Sequence, residues 1–239
     1  MRFLPFLLAL LTCTTAAADD LVIIAPVNQA MPLAHFNKDG EMDAGMLRDI
    51  GEALARRLGR TPRFVSMPSK RVPLALASGE ADVLCHVMKH WIDGDFVWSA
   101  PFLPSGEIIA ARPEAPAVRR LGNLAGQPIG TVLGYRYPLV EDALGKRFVR
   151  DDAQTMEHNF RKLVAGRMPY AIVDDLTYNY YQRAAAKPPV KLRRDVVISS
   201  FRTHCAFSRK GRLPAARINQ ALDSLIGDGS LDAMLARYQ

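Results

Sequence analysis

What most constrains this chain is the regular exchange of short apolar runs with amphipathic ones. Residues 21–26 (LVIIAP) are continuously apolar and stopped by proline, the pattern of a buried strand. Residues 45–58 (GMLRDIGEALARRL) place Met46, Leu47, Ile50, Ala53, Leu54 and Leu58 on one helical face, and Gly59 supplies a C-terminal stop. Residues 64–67 read as a second strand, 72–78 as a short helix ended by Gly79, and 81–87 (ADVLCHV) as a third strand. Strand, helix, strand, helix, strand is a βαβαβ unit, which requires parallel strands because each helix carries the chain back to the same end of the sheet.

The pattern then restarts. Strands are expected at 107–111, 128–133 and 170–173, with helices around 139–144 and 156–165, the latter stopped by Gly166. A tyrosine-rich helix follows Asp174–Asp175 and is expected to run to about Ala186. Two late strands at 196–200 and 204–208 precede closing helices at 213–226 and 231–238, which Gly227-Asp228-Gly229 separates. Two α/β units in succession without a low-complexity linker predict two lobes joined by short crossing strands.

The amino terminus limits where such a protein works. Arg2, the apolar run 3–11 and the small residues Ala16-Ala17-Ala18 make a cleavable secretory signal over 1–18, cut before Asp19. The apolar run is too short to span a bilayer. An uncleaved anchor and a lipoprotein attached through Cys13 are the other readings, the second weakened by Thr12. Export places the mature chain in the periplasm. There its two cysteines, Cys85 and Cys205, are either a disulfide or two buried thiols. The formal charge of +7 falls to +6 when Arg2, the leader's one charged residue, leaves. Basic and acidic residues are interleaved, and a dense basic run with aromatics is lacking, so nucleic acid is not an expected partner. Mild positive charge on an exported protein suits attraction of anionic or zwitterionic solutes.

Neither a G-x-S-x-G elbow, a P-loop nor an H-E-x-x-H motif occurs, and no cofactor is implied. His86 and His90 are four apart on what reads as a strand end, not a helix, so no metal site is expected. Cys85-His86 and His204-Cys205 are adjacent pairs, and neighbours on a strand face opposite ways. The cysteines could therefore meet, or the histidines, without building a four-ligand site.

Four segments, in order, resemble the type II periplasmic solute-binding proteins of family 3, the polar amino-acid receptors of ABC transporters. They are GMLRDIGEALARRLG, LALASGEADVLC, VWSAPFLPSGEIIAARP and INQALDSLIGDGSLDAMLARY. The resemblance implies two Rossmann-like α/β lobes joined by two crossing strands, with a ligand cleft between them. The first lobe would be discontinuous (19–103 and 206–239) and the second would span 104–205. It implies a monomer that closes on a small polar or zwitterionic solute and serves an inner-membrane ABC transporter permease or a sensor. Cyclohexadienyl dehydratases also resemble this family, so an enzyme using Glu107, Asp174 or Asp175 with His86 or His204 is the alternative.

Site residues follow from the same resemblance. The family's second lobe carries an aspartate after a strand that grips the ligand's amino group; AIVDDLT fits, with Asp175 favoured over Asp174. Both acids could instead simply begin the next helix. The family's Thr-x-x-Arg carboxylate clamp is replaced by Met88-Lys89-His90-Trp91, and Lys89 cannot supply a bidentate fork. Arg71, at the start of the short helix, is the candidate substitute for that clamp, or else an ordinary surface arginine. GTVLGYRYP offers a turn at Gly134 with Tyr135 as a wall and Arg136 as a charge. Met31 sits where the family often places an aromatic wall, Trp91 is expected to line the cleft, and Trp98 to pack.

Overall fold

The computed structural model describes residues 20–183 and 191–238. The leader expected over 1–18 and the last turn of the tyrosine-rich helix, toward Ala186, lie outside them.

The first lobe begins with β1 (Asp20–Pro26), the small hairpin β2 (His35–Phe36) and β3 (Met42–Ala44), and α1 (Met46–Leu58). It continues through β4 (Thr61–Met67), α2 (Val72–Ser78), β5 (Val83–Val87) and β6 (Val97–Trp98). Strand β7 (Leu103–Ala111) crosses to the second lobe, formed by β8 (Pro128–Val132), α3 (Pro138–Leu144), β9 (Val149–Ala153), α4 (Met156–Val164), β10 (Tyr170–Asp174) and α5 (Asp175–Arg183). Strand β11 (Arg193–Phe207) returns, and α6 (Ala215–Gly227) and α7 (Ser230–Leu235) pack on the first lobe.

The strand order is β4-β1-β5-β11-β7-β10-β8-β9, with β6 on β11. β1 is parallel to β4 and β5, as the βαβαβ reading requires, and β8 is parallel to β9 and β10. Strands β7 and β11 run antiparallel beside each other from lobe to lobe. The two late strands expected at 196–200 and 204–208 are thus one strand of 15 residues. Phe201-Arg202-Thr203 reads as a break because a strand between lobes is wetter than one inside either. β9 (VRDDA) escaped detection because an edge strand can be charged and still pair.

Each lobe buries both faces of its sheet. Leu21, Ile23 and Ala25 of β1 pack with α1, α6 and α7, while Val22 and Ile24 pack with α2. In the second lobe Ile108 and Ala110 of β7 face α4, and Ile109 and Ala111 face α3. Leu54, fully buried on α1, is the kind of residue whose truncation to alanine costs about 2–5 kcal/mol. Asp82, also fully buried, holds the start of the sheet: its carboxylate accepts the backbone N–H of Val22 at 2.8 Å and of Arg212 at 2.5 Å.

Cys85 and Cys205 are opposite each other on β5 and β11 and are joined by a disulfide. The register slips between His204 and Cys205, a bulge beside the bridge, and His86 takes a left-handed φ of 60°. Such conformations are rare away from glycine, and bulges re-aim side chains.

Candidate functional site

A cavity of about 430 Å³ lies between the lobes, crossed on one side by β7 and β11. Its floor is built where β5 and β10 end beside the middle of β7. Asp174 is the last residue of β10 and Glu107 stands directly across from it on β7. In an antiparallel pair such residues project to the same face, and both line the cavity. His86, re-aimed at the end of β5, completes the floor from the first lobe.

These groups are interlocked. Ser105 on β7 donates its hydroxyl proton to Asp174 Oδ2 at 2.8 Å. The Ser105 oxygen is then left to accept from His86 Nε2 at 3.3 Å, which assigns the ring proton to Nε2. Asp174 Oδ1 accepts the Thr177 N–H at 3.1 Å, so the same carboxylate caps α5. His86 is 6 % exposed, and its Nδ1 has no hydrogen-bond partner among the described residues. At 3.9 Å from Asp174 a protonated His86 would form an ion pair. Burial, only partly opposed by Asp175, instead lowers its pKa to about 4. The ring is therefore neutral at pH 7 and Nδ1 is an acceptor.

The carboxylates are shifted the other way. Burial raises Glu107 to about 7; the Ser199 hydroxyl, donating at 3.2 Å, opposes this, and Asp174 adds to it. Burial also raises Asp174, against the hydrogen bonds from Ser105 and from the backbone at Thr177 and Leu176. Trp91, Tyr135 and Phe201 supply aromatic walls, with Trp91 edge-on to Phe201 at 5.5 Å. At the mouth, Lys70 and Arg136 line the cavity, and Arg136 pairs with Asp93 across the lobes at 3.0 Å. The lobes also meet where Met156 N–H donates to the Asn28 carbonyl at 3.0 Å. An acidic, acceptor-rich floor under aromatic walls is suited to an organic cation. Among the described residues, no group of three or more His, Cys, Asp and Glu is placed to hold a metal ion.

The sequence pattern of the bacterial extracellular solute-binding proteins, family 3, matches residues 22–239. The chain belongs to this family. No curated protein sequence matches it. Among solved structures, the arginine-, lysine-, histidine-binding protein ArtJ from Geobacillus stearothermophilus superposes with a TM-score of 0.75 at 19% identity, covering 92% of this chain and 95% of that one. The ancestral amino acid-binding protein AncCDT-1, a precursor of cyclohexadienyl dehydratase, gives 0.74 at 18% identity over 92% and 94%. A histidine kinase sensor domain similar to periplasmic binding proteins gives 0.74 at 22% identity over 93% and 96%. These likenesses show the periplasmic-binding-protein fold: two lobes joined by two crossing strands. Among the described residues, no helix is long and apolar enough to cross a membrane.

In this family 3 solute-binding protein the expected site residues divide into two sets. Asp174, Tyr135, Arg136 and Trp91 line the cavity together. Asp175, Arg71 and Met31 do not. Asp175 is the first residue of α5, one step past the strand end, and so turns away from the face that Asp174 shares with Glu107; its carboxylate lies against Gly106 instead. Arg71 ends a 3-10 turn (Ser69–Arg71) and points outward, 62 % exposed and 3.6 Å from Glu80, while Ser69 and Lys70 of the same turn face the cavity. Met31 is half-buried outside the lining, where Gln29 stands instead. Lys89 is exposed outside the lining as well. Trp98 packs against Phe96 and His204, and His204 Nδ1–H donates to the Ser99 carbonyl rather than facing the cavity. Gly134 reaches the cavity with φ 84°, a left-handed turn that a side chain would strain. Ser105 and Phe201 were missed; both lie on the crossing strands, where no periodicity marks them.

Proposed function

We propose that this protein captures a small polar solute bearing a cationic group, closes its lobes around it, and delivers it to an inner-membrane ABC transporter permease. The observation that carries this reading is the floor: the carboxylates of Glu107 and Asp174, directly opposite each other on adjacent strands and open to one cavity. An anionic group on a zwitterionic solute would meet Lys70 and Arg136 at the mouth, where Arg136 is already paired with Asp93. The bidentate arginine clamp for an α-carboxylate is absent from the 88–91 segment, so the cation is the end of the solute held hardest. The binding of arginine, lysine and histidine by the structural neighbour ArtJ is in keeping with this. A chain of this kind works as a periplasmic monomer, and a sensor in place of the permease would use the same closure.

The test is native mass spectrometry of protein purified without denaturation. One co-purified small molecule per chain, with an amine or guanidine in its fragmentation, is the expected result. Retention of an anionic solute lacking any cationic group would overturn the assignment. A second reading rests on Glu107 holding a proton near neutrality, as a general acid would: dehydratase activity of the kind named for the descendant of AncCDT-1. Incubation with prephenate or arogenate decides it by the presence or absence of an aromatic product.

A further inference from the structure

We infer that Glu107 is a second cation-binding carboxylate, and that a cationic solute enters the cavity in exchange for a proton held by the Glu107–Asp174 pair. This rests on the solute-binding reading and adds to it a specificity residue and a proton stoichiometry.

The geometry supplies the argument. Glu107 and Asp174 are directly opposite on adjacent antiparallel strands and open into one cavity. Like charges so placed repel, and burial strengthens the repulsion. The groups around Glu107 do not relieve it. Asp174 faces it from β10, and Tyr135 and Tyr137, whose ionisation Glu107 further discourages, from the β8–α3 loop. Asp175 lies behind Asp174 at the start of α5, and His86 from β5 is neutral. Ser199 from β11 gives one hydrogen bond. Lys70 and Arg136 stand at the mouth, and among the described residues no cation pairs with Glu107. The empty floor therefore relaxes by keeping one proton, and Glu107 is the group whose pKa comes near neutrality. His86 lines the same cavity with its Nε2 turned to Ser105, so it contributes no cation to the floor. An ammonium or guanidinium placed between the two carboxylates satisfies both. The Glu107 carboxyl gives its proton to solvent as the cation takes its place, so charge in the cavity is conserved.

The experiment has a ligand-free arm and a ligand arm. In the empty protein, carboxyl-carbon NMR should show one glutamate signal titrating near pH 7 and missing from Glu107→Gln. Ser199→Ala, which removes the hydrogen bond favouring ionisation, should move that midpoint upward. Calorimetric titration then uses agmatine, putrescine and L-arginine as probes. The probe that binds should do so about tenfold more tightly at pH 8 than at pH 6, as competition with one proton of pKa about 7 requires. It should release a proton, read from the buffer dependence of the heat. Glu107→Gln should bind it more weakly and without pH dependence. A Glu107 midpoint near the ordinary 4.5, or equal affinity at pH 6 and pH 8, overturns the exchange while leaving the solute-binding reading intact. Failure of all three cations at pH 8 overturns the cation site itself. A neutral or anionic molecule co-purifying in native mass spectrometry would then show that solute binding survives without it.

Discussion

The floor and the mouth of the cavity carry charges of opposite sign in opposite settings. At the floor, His86 is buried and Glu107 and Asp174 are half-buried, interlocked through Ser105 and Ser199. At the mouth, Arg136, Asp93 and Lys70 are exposed, and Arg71 beside them points away from the cavity altogether. Water and salt screen exposed charges, whereas desolvated ones interact strongly. The net positive charge of the chain is therefore a poor guide to its ligand: the charges that count are the few acids largely withdrawn from water.

The largest expected effect concerns what holds the floor in place. The disulfide beside His86 closes a loop across 120 residues of sequence, for which the chain-entropy account gives about 5 kcal/mol. Reduction, or Cys85→Ser with Cys205→Ser, should lower the melting temperature by roughly 10–20 °C in differential scanning calorimetry. A drop of only a degree or two would mean that the sheet holds the floor without the bridge.

Next comes the pH dependence of the empty protein. Glu107 has a folded pKa raised from 4.5 to about 7, so the native state binds more protons than the unfolded chain between those values. Stability contributed by this group is present below pH 4.5 and is lost as pH rises toward 7, by up to about 3 kcal/mol. Glu107→Gln should remove that loss, and its melting temperature should exceed that of the wild type by several degrees at pH 8 but not at pH 4.5. Parallel melting curves for the two proteins across this range would break the account of the floor.

Binding of a cationic probe distinguishes the two regions directly. Asp174→Asn should weaken it tenfold to a hundredfold, the worth of a desolvated charge-assisted hydrogen bond. Smallest of all, Arg71→Ala should change affinity less than about threefold, since an exposed arginine paired with Glu80 contributes little. Calorimetric titration of both variants checks the ranking, and the reverse order would place the recognition at the rim.

Much of this was legible in the sequence, for reasons that also explain what was not. The run LVIIAP, the amphipathic face of 45–58 and the glycine stops are local signals, and β1, α1 and α2 follow them closely. The cysteine pair was visible as one of two readings because only two cysteines lie outside the expected leader. The sequence favours Asp175 over Asp174, whereas Asp174 lines the cavity, because which one shares a face with Glu107 depends on where the strand gives way to α5. Arg71 attracted attention by type and by its place before a helix, but a 3-10 turn sends it outward and Lys70 inward. Glu107 did carry a signal: a single acid inside the apolar strand SGEIIAA. Its meaning required the pairing of β7 with β10, two strands far apart in the chain.

The central claim, that the solute is held by the half-buried acids between the lobes, is tested most directly by a crystal structure of the protein with its co-purified solute. The account predicts a cationic nitrogen within hydrogen-bond distance of both Asp174 and Glu107. A solute seated on Lys70 and Arg136 alone, leaving the two carboxylates unengaged beneath it, would contradict it.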